Sequence, residues 1–535
     1  MAKPVDAADL KSAFLWKCGF ESRRPHQIWL GQVGPAPSPR DGANEARYRD
    51  DMRLFAPLVI ALFAACGALT ACSRAPSGAV TVSVIGGEAR VANPNGRALD
   101  APAMVMTGAL MQGLVQFDAT GEIEPALAER WMVTDDGLSY IFRIRRSFWS
   151  NGQPVSAAQV AQSLRTSLSS ASRNPLRPLL GQVVQILPMT ETVLEIRLSE
   201  PQPGLLALLA DPRMAVTRQG RGTGPYRLYR SYPSAKILRP VMSLAESEAD
   251  DAELKRAERR VRGESAPLAI ARYAERNASL VLGGNFADYP LIAAAGIAAR
   301  DIRIDPVPGL FGLVPARTSG PATNRVVRQA LAMSIDRTAL LRLFGARGWT
   351  PSETLMPGPV DQYAEARPDW ADLTLADRKA RARALMAQNY GRPLTLRLGL
   401  PQGPGARLMA AQLAADWRPL GVDLKLVAQG AFADLQLIDS VAPTTNALWY
   451  LHPFACGNAP LCSAATRNAL DLAKRATREE RAPLYAEADR AIIAEQLYIP
   501  IARPLRWSLV APQLAGFAAN ATGQHPLNTL AAPRN

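Results

Sequence analysis

The chain has 535 residues, more than one hydrophobic core usually serves, and domains of roughly 100–200 residues predict about three units. With 48% hydrophobic and 20% charged residues, the composition is that of a globular protein and excludes a chain disordered throughout. The formal net charge of +14 brings nucleic-acid binding into consideration, but the Lys and Arg residues are scattered and form no basic run interleaved with aromatic side chains. We therefore expect no nucleic-acid partner.

An apolar run near the start of the chain has the character of an export signal. Residues 54–65 are too few for a membrane span, which takes about 20 residues, and Met52 and Arg53 supply a short cationic start. Leu69-Thr70-Ala71-Cys72 follows and is typical of a bacterial lipobox, in which cleavage leaves Cys72 as the lipidated first residue. The alternative is a buried helix followed by an incidental cysteine. We expect a signal peptide over 52–71 and a periplasmic or cell-envelope protein anchored to the membrane by lipid.

The first 51 residues do not fit ahead of a signal peptide. They are polar, rich in Pro and Arg, and lack clear periodicity. We expect translation to begin at Met52, so that residues 1–51 are a doubtful or disordered leader.

The five cysteines separate by position. Cys18 lies in the doubtful leader, Cys66 in the signal peptide, and Cys72 at the lipidation site. Only Cys456 and Cys462 remain in the mature body, where an oxidising compartment allows them to pair. Two independent buried thiols are the alternative.

The predicted elements alternate between strands and helices along the mature chain. Hydrophobic periodicity predicts strands over 80–85, 138–145, 394–400 and 422–426. Periodicity and capping residues predict helices over 104–114, 156–164, 324–331, 336–344, 374–389 and 407–417, and a last long helix after Thr477. Residues 240–265 are charge-rich and predict a solvated helical face. This order indicates α/β layers rather than a bundle or a sandwich.

Several motifs occur in a fixed order over more than 400 residues. The most specific lie between positions 110 and 160, at 112–115, 125–131, 135–140, 142–145 and 149–157. Gly222-Thr223-Gly224-Pro225-Tyr226 follows, and then the segments 327–331, 334–337, 415–417 and 420–422. Together they resemble the peptide/nickel-type extracellular solute-binding proteins of bacterial ABC importers, family 5.

The resemblance implies a two-lobed α/β fold of the class II periplasmic-binding-protein type, with an extra subdomain inserted in the first lobe. The implied boundaries are 72–113 and 223–308 for the first lobe, 114–222 for the subdomain, 309–502 for the second lobe, and 503–535 for the return to the first lobe. A monomer of this kind captures a small ligand, here expected to be a short peptide, between its lobes and delivers it to the permease subunits of an importer. The resemblance therefore predicts neither an enzymatic activity nor a cofactor.

The resemblance also implies where a peptide's charged ends are held, since each charge buried in a closed cleft needs a partner. Asp439, four residues before Pro443, matches the carboxylate that holds the ligand's amino group. Peptide binders often carry Trp three residues before that Asp, whereas this chain has Gln436. Arg407 matches an arginine that meets the ligand carboxylate. The alternatives are an Asp that caps a local turn and an Arg exposed to solvent.

Three further positions are candidates for ligand contact. Trp449 can line a side-chain pocket or belong to the core. Met111 and Gln112 lie where members of the family begin their first-lobe contacts.

Other functions remain to be weighed against solute capture. A secreted hydrolase lacks support because neither a Gly-x-Ser-x-Gly nor a His-Glu-x-x-His motif occurs. The three histidines, His26, His452 and His525, do not have the spacing of metal ligands, so we expect no catalytic or metal site. A ligand sensor or scaffold of the same fold stays open, as do nickel chelates, haem, sugars and opines as ligands.

Overall fold

The structure, a computed structural model, describes residues 79–96, 99–241, 251–358, 360, 363–390 and 393–531. All of them belong to one structural unit, Ala75–Asn535. The predicted leader, signal peptide and lipidation site at Cys72 lie outside the described residues. Among the helices that are described, none combines the length and apolar character that crossing a membrane requires.

The strands are numbered in chain order. They are β1 (Val80–Ile85), β2 (Val115–Phe117), β3 (Ile123–Pro125), β4 (Ala128–Val133), β5 (Ser139–Ile144), β6 (Val183–Pro188), β7 (Val193–Leu198), β8 (Tyr226–Tyr232), β9 (Ala235–Pro240), β10 (Arg259–Glu264), β11 (Leu280–Asn285), β12 (Ile302–Asp305), β13 (Gly309–Pro315), β14 (Leu394–Leu400), β15 (Val422–Ala428), β16 (Leu435–Val441), β17 (Ile499–Ala502) and β18 (Arg506–Val510).

The α-helices are numbered in the same way. They are α1 (Ala101–Leu110), α2 (Ala157–Leu168), α3 (Leu205–Ala210), α4 (Asp251–Ala257), α5 (Ala266–Ala274), α6 (Pro290–Ala294), α7 (Arg325–Ser334), α8 (Arg337–Arg342), α9 (Leu375–Asn389), α10 (Pro404–Trp417), α11 (Ala447–Leu451), α12 (Ala464–Ala473) and α13 (Arg478–Ala494).

The first large sheet has seven strands in the order β12-β18-β11-β1-β10-β9-β8. Strand β1 lies at its centre and runs parallel with β10 and β11, whereas the outer neighbours pair antiparallel. Val82, Ser83 and Val84 are all fully buried, because a central parallel strand is covered on both faces. This explains why β1 is an almost continuous apolar run in the sequence.

The second large sheet has five strands in the order β15-β14-β16-β13-β17. Helix α10 connects β14 to the parallel strand β15, as the alternating pattern predicts. Met409, Leu413 and Trp417 of α10 are buried, and the Trp417 indole N–H donates to the carbonyl of Leu331 at 3.1 Å. This packing ties α10 to α7 and forms the core on one side of the sheet.

Two smaller sheets lie between β1 and β8 in the chain. One is the β2–β3 pair, and the other has the order β4-β5-β7-β6 with α2 and α3 packed in the same hydrophobic cluster. Ser156 begins α2 through a reciprocal capping box with Gln159, and Gln159 also accepts a hydrogen bond from the Trp149 indole at 2.7 Å. The cap predicted from the sequence therefore also fixes a buried tryptophan.

The chain passes between the two large sheets twice, through residues 306–308 and 503–505. Phe286, just after β11, packs edge-on against Phe311 of β13 with ring centroids 4.9 Å apart, and Phe311 packs against Trp349 at 5.5 Å. Residues of both sheets share one hydrophobic cluster. The predicted two-lobed α/β fold is confirmed, with one large sheet in each lobe.

Two predicted elements differ from the structure. The first helix begins earlier than position 104, because the Asp100 side chain caps it by accepting from the Ala103 N–H. It ends at Leu110, four residues before the predicted end. The predicted solvated helix over 240–265 is wrong in part, since β10 occupies Arg259–Glu264 and pairs with β1 and β9. Arg259 is buried there because carbonyl oxygens of Leu527 and Leu530 accept from its guanidinium.

Candidate functional site

A charged pair joins the two large sheets near the segments where the chain crosses between them. Asp439 lies on β16 of the second sheet, and Arg506 is the first residue of β18 in the first sheet. Arg506 Nη1 lies 2.8 Å from Asp439 Oδ1, and Nη2 donates to the Asp439 carbonyl at 3.3 Å. The Asp439 and Arg506 side chains are 16% and 22% exposed. Asp439, the carboxylate predicted to hold a ligand's amino group, therefore already pairs with a cation of the chain itself.

The surroundings of Asp439 make a cation partner necessary. Burial raises the pKa of the Asp439 carboxyl, and the Arg506 guanidinium acts in the opposite direction. The phenol of Tyr498 lies close enough for the two groups to influence each other, and burial raises the pKa of that phenol as well. A carboxylate with so little water around it is costly unless a positive group stays beside it.

Gln436 lies on the same strand as Asp439 but does not share its face. Successive side chains of a strand point to opposite faces, and these two residues are three positions apart. Gln436 Nε2 reaches the carbonyl of Ala431 at 3.5 Å, and its strand neighbours Leu435 and Leu437 are buried on the Asp439 side. The side chain that replaces the family's tryptophan thus lies across the sheet from the carboxylate.

Arg407 lies in the first part of α10, and its side chain is exposed. Its main-chain N–H donates to the carbonyl of Gly403 at 3.3 Å, which belongs to the start of the helix. Both Arg407 and Asp439 are described, and no ion pair or hydrogen bond connects them. Their assignment to one ligand stays a prediction.

Trp449 lies on α11 between two hydrophobic clusters. Its half-buried ring packs edge-on against Tyr450 with centroids 4.8 Å apart. It contacts the cluster of the four-stranded sheet and also the cluster around β13 and α13 in the second lobe. Trp449 therefore bridges the four-stranded sheet and the helices packed beside β13.

Met111 and Gln112 directly follow helix α1, and Met111 is its C-cap residue. The Gln112 side-chain amide donates to the carbonyl of Thr223 at 2.7 Å, and the Gln112 carbonyl accepts from the Val216 N–H. The amide thus binds the Gly222–Tyr226 motif, which brings two of the sequence motifs together. Met111 is 3% exposed and contributes to a cavity.

That cavity has a volume of about 660 Å³ and lies within the part of the chain before β8. Its polar lining includes Asn93, Gln162, Thr166 and Arg218, mostly from α2 and two loops. Of the predicted ligand-binding residues, only Met111 lines it. The cavity is therefore separate from the Asp439–Arg506 pair.

A second ion pair connects distant parts of the chain. Glu200 follows β7, Arg481 lies on α13, and they are 281 positions apart. Arg481 Nη1 lies 2.5 Å from Glu200 Oε2, and Nη2 lies 2.8 Å from Oε1, which makes the contact bidentate. Nearby, a Cβ built on Gly204 would lie 3.5 Å from Thr444 Cγ2, so the two segments are in close approach. Neither Arg506 nor the Glu200–Arg481 pair is predictable from the sequence, because no local pattern connects residues so far apart.

The remaining predicted site residues concern sulfur and metals. Cys456 and Cys462 are joined by a disulfide with Cα atoms 5.3 Å apart, between α11 and α12. His525 Nε2 lies 3.0 Å from Asp305 Oδ2, and its ring stacks on Phe517. Burial lowers the pKa of His452. Within the described ranges, no three His, Cys, Asp or Glu side chains are placed to share a metal ion.

Comparison with known proteins adds a family match. The family model named "Bacterial extracellular solute-binding proteins, family 5 Middle" matches residues 122–442. A probable deoxycholate-binding periplasmic protein of Escherichia coli K12 is 24% identical over 360 residues, which cover 59% of this chain and 65% of that protein. The nickel-binding periplasmic protein of the same strain is 23% identical over 364 residues, with the same two coverages. The chain thus spans 65% of the length of each of these relatives.

A solved structure resembles the fold over most of its length. The murein tripeptide binding protein MppA of Escherichia coli aligns with a TM-score of 0.73 and 18% sequence identity. The alignment covers 86% of this chain and 99% of that one. At this identity the likeness concerns the fold alone.

Proposed function

Because the chain belongs to the bacterial extracellular solute-binding proteins of family 5, we propose that it captures a small solute between its two lobes and delivers it to the permease of an ABC importer. The protein acts as a monomer outside the cytoplasm, and it binds its solute without changing it chemically. A short peptide is the leading ligand class.

The observation that carries this proposal is the junction between the two large sheets. Two short segments, 306–308 and 503–505, connect the lobes, and a few residues of this kind can absorb the backbone rotation of a closing hinge. Asp439 lies at that junction with only part of its carboxylate exposed. A ligand that binds both lobes beside this hinge would favour the closed state, since a ligand shifts such an equilibrium by its difference in affinity for the two states.

The ligand class needs a direct test, because the names of the two curated relatives refer to deoxycholate and nickel, whereas the solved neighbour is a murein tripeptide binder. A thermal-shift panel of dipeptides, oligopeptides, opines, bile acids and metal chelates covers these chemistries. A ligand at one hundred times its dissociation constant stabilises the native state by about 2.7 kcal/mol. A rise in melting temperature with peptides supports peptide capture, and a response restricted to another class replaces it.

Asp439→Asn tests whether this carboxylate holds the amino group of a peptide. We expect the variant to lose about 2 kcal/mol or more of binding free energy for a dipeptide, because the ligand's ammonium loses its charged partner. Calorimetry with the dipeptide and its N-acetylated form measures the difference. Asp372→Asn is the matched control, since this aspartate is exposed and pairs only with Arg367 in the described structure. Equal affinities in Asp439→Asn and wild type would remove Asp439 from the site.

Membrane attachment is a separate part of the proposal. Cleavage before Cys72 and lipidation of that cysteine would hold the protein at the envelope surface, near its permease. Intact-mass measurement of the protein purified from membranes tests this. A mature product that begins at Cys72 and carries the mass of acyl chains supports the anchor, whereas a product that retains Trp16 overturns both the signal peptide and the start at Met52.

A further inference from the structure

Arg506 contacts Asp439 through both the side chain and the main chain of that residue. Nη1 donates to Asp439 Oδ1 at 2.8 Å and to the carbonyl of Leu505 at 3.0 Å, and Nη2 donates to the Asp439 carbonyl at 3.3 Å. Three hydrogen bonds from two nitrogens fix the position of the guanidinium. Its placement is therefore part of the fold and not a chance surface contact.

The other carboxylate beside Arg506 is engaged elsewhere. Asp305 lies opposite Arg506 in the β12–β18 pairing, but its Oδ2 lies 3.0 Å from His525 Nε2 and its Oδ1 accepts from the Asn520 N–H at 3.1 Å. Among the described residues, Asp439 is the acidic side chain with which Arg506 forms an ion pair. Arg506 thus pairs with Asp439 although the carboxylate of Asp305 is also near.

The two partners come from different lobes. Asp439 belongs to the five-stranded sheet and Arg506 to the seven-stranded sheet, just past the crossing at 503–505. A cation supplied by the first lobe therefore occupies the carboxylate of the second lobe. A ligand's ammonium would need the same carboxylate. The Arg506 guanidinium already occupies Oδ1 of Asp439 and offsets its charge, and two cations so close together repel each other.

We propose that Arg506 is a specificity-determining residue, an internal cation that competes with the ammonium group of a ligand for Asp439. The inference rests on the proposed function and deepens it. The free ammonium of a solute must displace the Arg506 guanidinium from Asp439 or bind beside a like charge, so the wild-type site holds such a solute less tightly than a site without this guanidinium would.

Chemical rescue tests the competition with a probe that needs no knowledge of the natural ligand. Arg506→Met keeps an unbranched apolar side chain and removes the cation, which leaves Asp439 without its partner. Methylammonium chloride is titrated into wild type, Arg506→Met and the double variant Asp439→Asn/Arg506→Met, with sodium chloride at the same ionic strength as the reference. We expect a saturable rise in melting temperature in Arg506→Met alone.

The same variants then report on real ligands. We expect Arg506→Met to bind a dipeptide about tenfold or more tightly than wild type, with no gain for the N-acetylated dipeptide, because the gain comes from the freed carboxylate. If methylammonium shifts wild type and Arg506→Met equally, or if a dipeptide binds wild type and the variant gains nothing for its free amine, Arg506 is not a competitor and the inference fails.

The failure of the proposed function gives a different pattern. If methylammonium rescues Arg506→Met but no peptide stabilises any variant, peptide capture is wrong while the internal cation stands. If Arg506→Met does not fold, Arg506→Gln takes its place, because its amide can still donate to Asp439 Oδ1 without a charge. A selective methylammonium response in Arg506→Gln then supports the inference, and its absence overturns it.

Discussion

Two arginine–carboxylate pairs connect separate parts of the chain, but they differ in their surroundings. Asp439–Arg506 lies where two short segments already join the sheets, so covalent links keep its partners near each other. Glu200–Arg481 joins residues 281 positions apart in sequence, one after β7 of the four-stranded sheet and one on α13. In the proposed hinge motion the first pair can persist, whereas the second depends on the position of the four-stranded sheet against α13.

In the Glu200–Arg481 pair, the arginine is also held by main-chain contacts of its own. Arg481 also donates to the carbonyls of Ala473 and Ala476, at 2.9 and 2.8 Å. These two contacts hold its guanidinium within the α12–α13 region independently of Glu200. Trp449 and the approach of Gly204 to Thr444 lie along the same boundary. We therefore interpret the first pair as a selector at the hinge and the second as a contact that closure forms and opening breaks.

A third carboxylate, that of Asp489, is buried without an ion-pair partner in the described structure. Asp489 on α13 is fully buried, and its Oδ2 accepts from the Ala366 N–H at 2.8 Å, while Oδ1 has no hydrogen-bond partner in the described structure. Burial is the main reason that its pKa rises from 3.8 to about 7, and Glu365 adds to the rise. The protein thus contains two carboxylates whose charge is offset by an arginine in an ion pair, and one, Asp489, whose charge is not offset in this way.

Asp489 gives the largest expected effect. Since its pKa is higher in the folded than in the unfolded state, the folded protein holds the proton more tightly, and this residue's contribution to stability falls as pH rises from about 4 through about 7. A difference of about three pKa units corresponds to about 4 kcal/mol. Urea unfolding of wild type and Asp489→Asn between pH 4 and 8 measures it. The variant is expected to lose this part of the slope, and Asp372→Asn to retain it; equal slopes in wild type and Asp489→Asn would contradict the assignment.

Removing Arg506 is expected to have the next largest effect. Arg506→Met should lower the free energy of unfolding at pH 7 by about 3 kcal/mol, at the lower end for a broken buried pair because both side chains keep some exposure. Asp439→Asn/Arg506→Met should recover most of the loss, since no charge is left unpaired. Denaturant titration checks both.

Arg143→Met is the matched control for that comparison. Arg143 pairs with Glu129 on the exposed edge of the four-stranded sheet, so its removal should cost at most about 0.5 kcal/mol. A double variant as unstable as Arg506→Met would show that packing, and not charge, explains the effect of position 506.

The sequence predicted the local features of this fold better than its long-range ones. Ser156, Asp336, Thr374 and Thr477 were predicted as helix caps, and each stands at the N-terminus of a helix, because a cap and its helix are neighbours in the chain. Strand β10 was missed because Arg259 occupies a buried position where the pattern requires an apolar residue. Its compensation comes from the carbonyls of Leu527 and Leu530, which no local window includes.

The candidate site shows the same limit. Asp439 was identified from its spacing to Pro443, which is local, but its partner Arg506 is 67 positions away. Gln436 was noted as a departure from the family pattern, yet only the strand geometry places it on the opposite face. The disulfide between neighbouring cysteines was accessible from the sequence, whereas the Glu200–Arg481 pair was not.

Glu200→Gln is expected to change stability less than the Asp489 and Arg506 variants do, and it tests the comparison of the two pairs most directly. Loss of one bidentate, partly exposed pair should lower the free energy of unfolding by about 1 kcal/mol. Its larger consequence should be conformational, because the contact across the lobe boundary is weakened while the hinge pair is intact. Spin labels at the exposed positions Met189 and Leu472 report the distance between the four-stranded sheet and α12.

We expect the distance distribution in Glu200→Gln to broaden toward longer values in the absence of ligand. Asp439→Asn should leave it near that of wild type, because the crossing segments and not this ion pair hold the hinge. Glu129→Gln, which breaks an exposed pair within the four-stranded sheet, is the control for loss of charge alone. If Asp439→Asn broadens the distribution and Glu200→Gln does not, the roles of the two pairs are reversed, and the contact that holds the lobes together lies at the hinge.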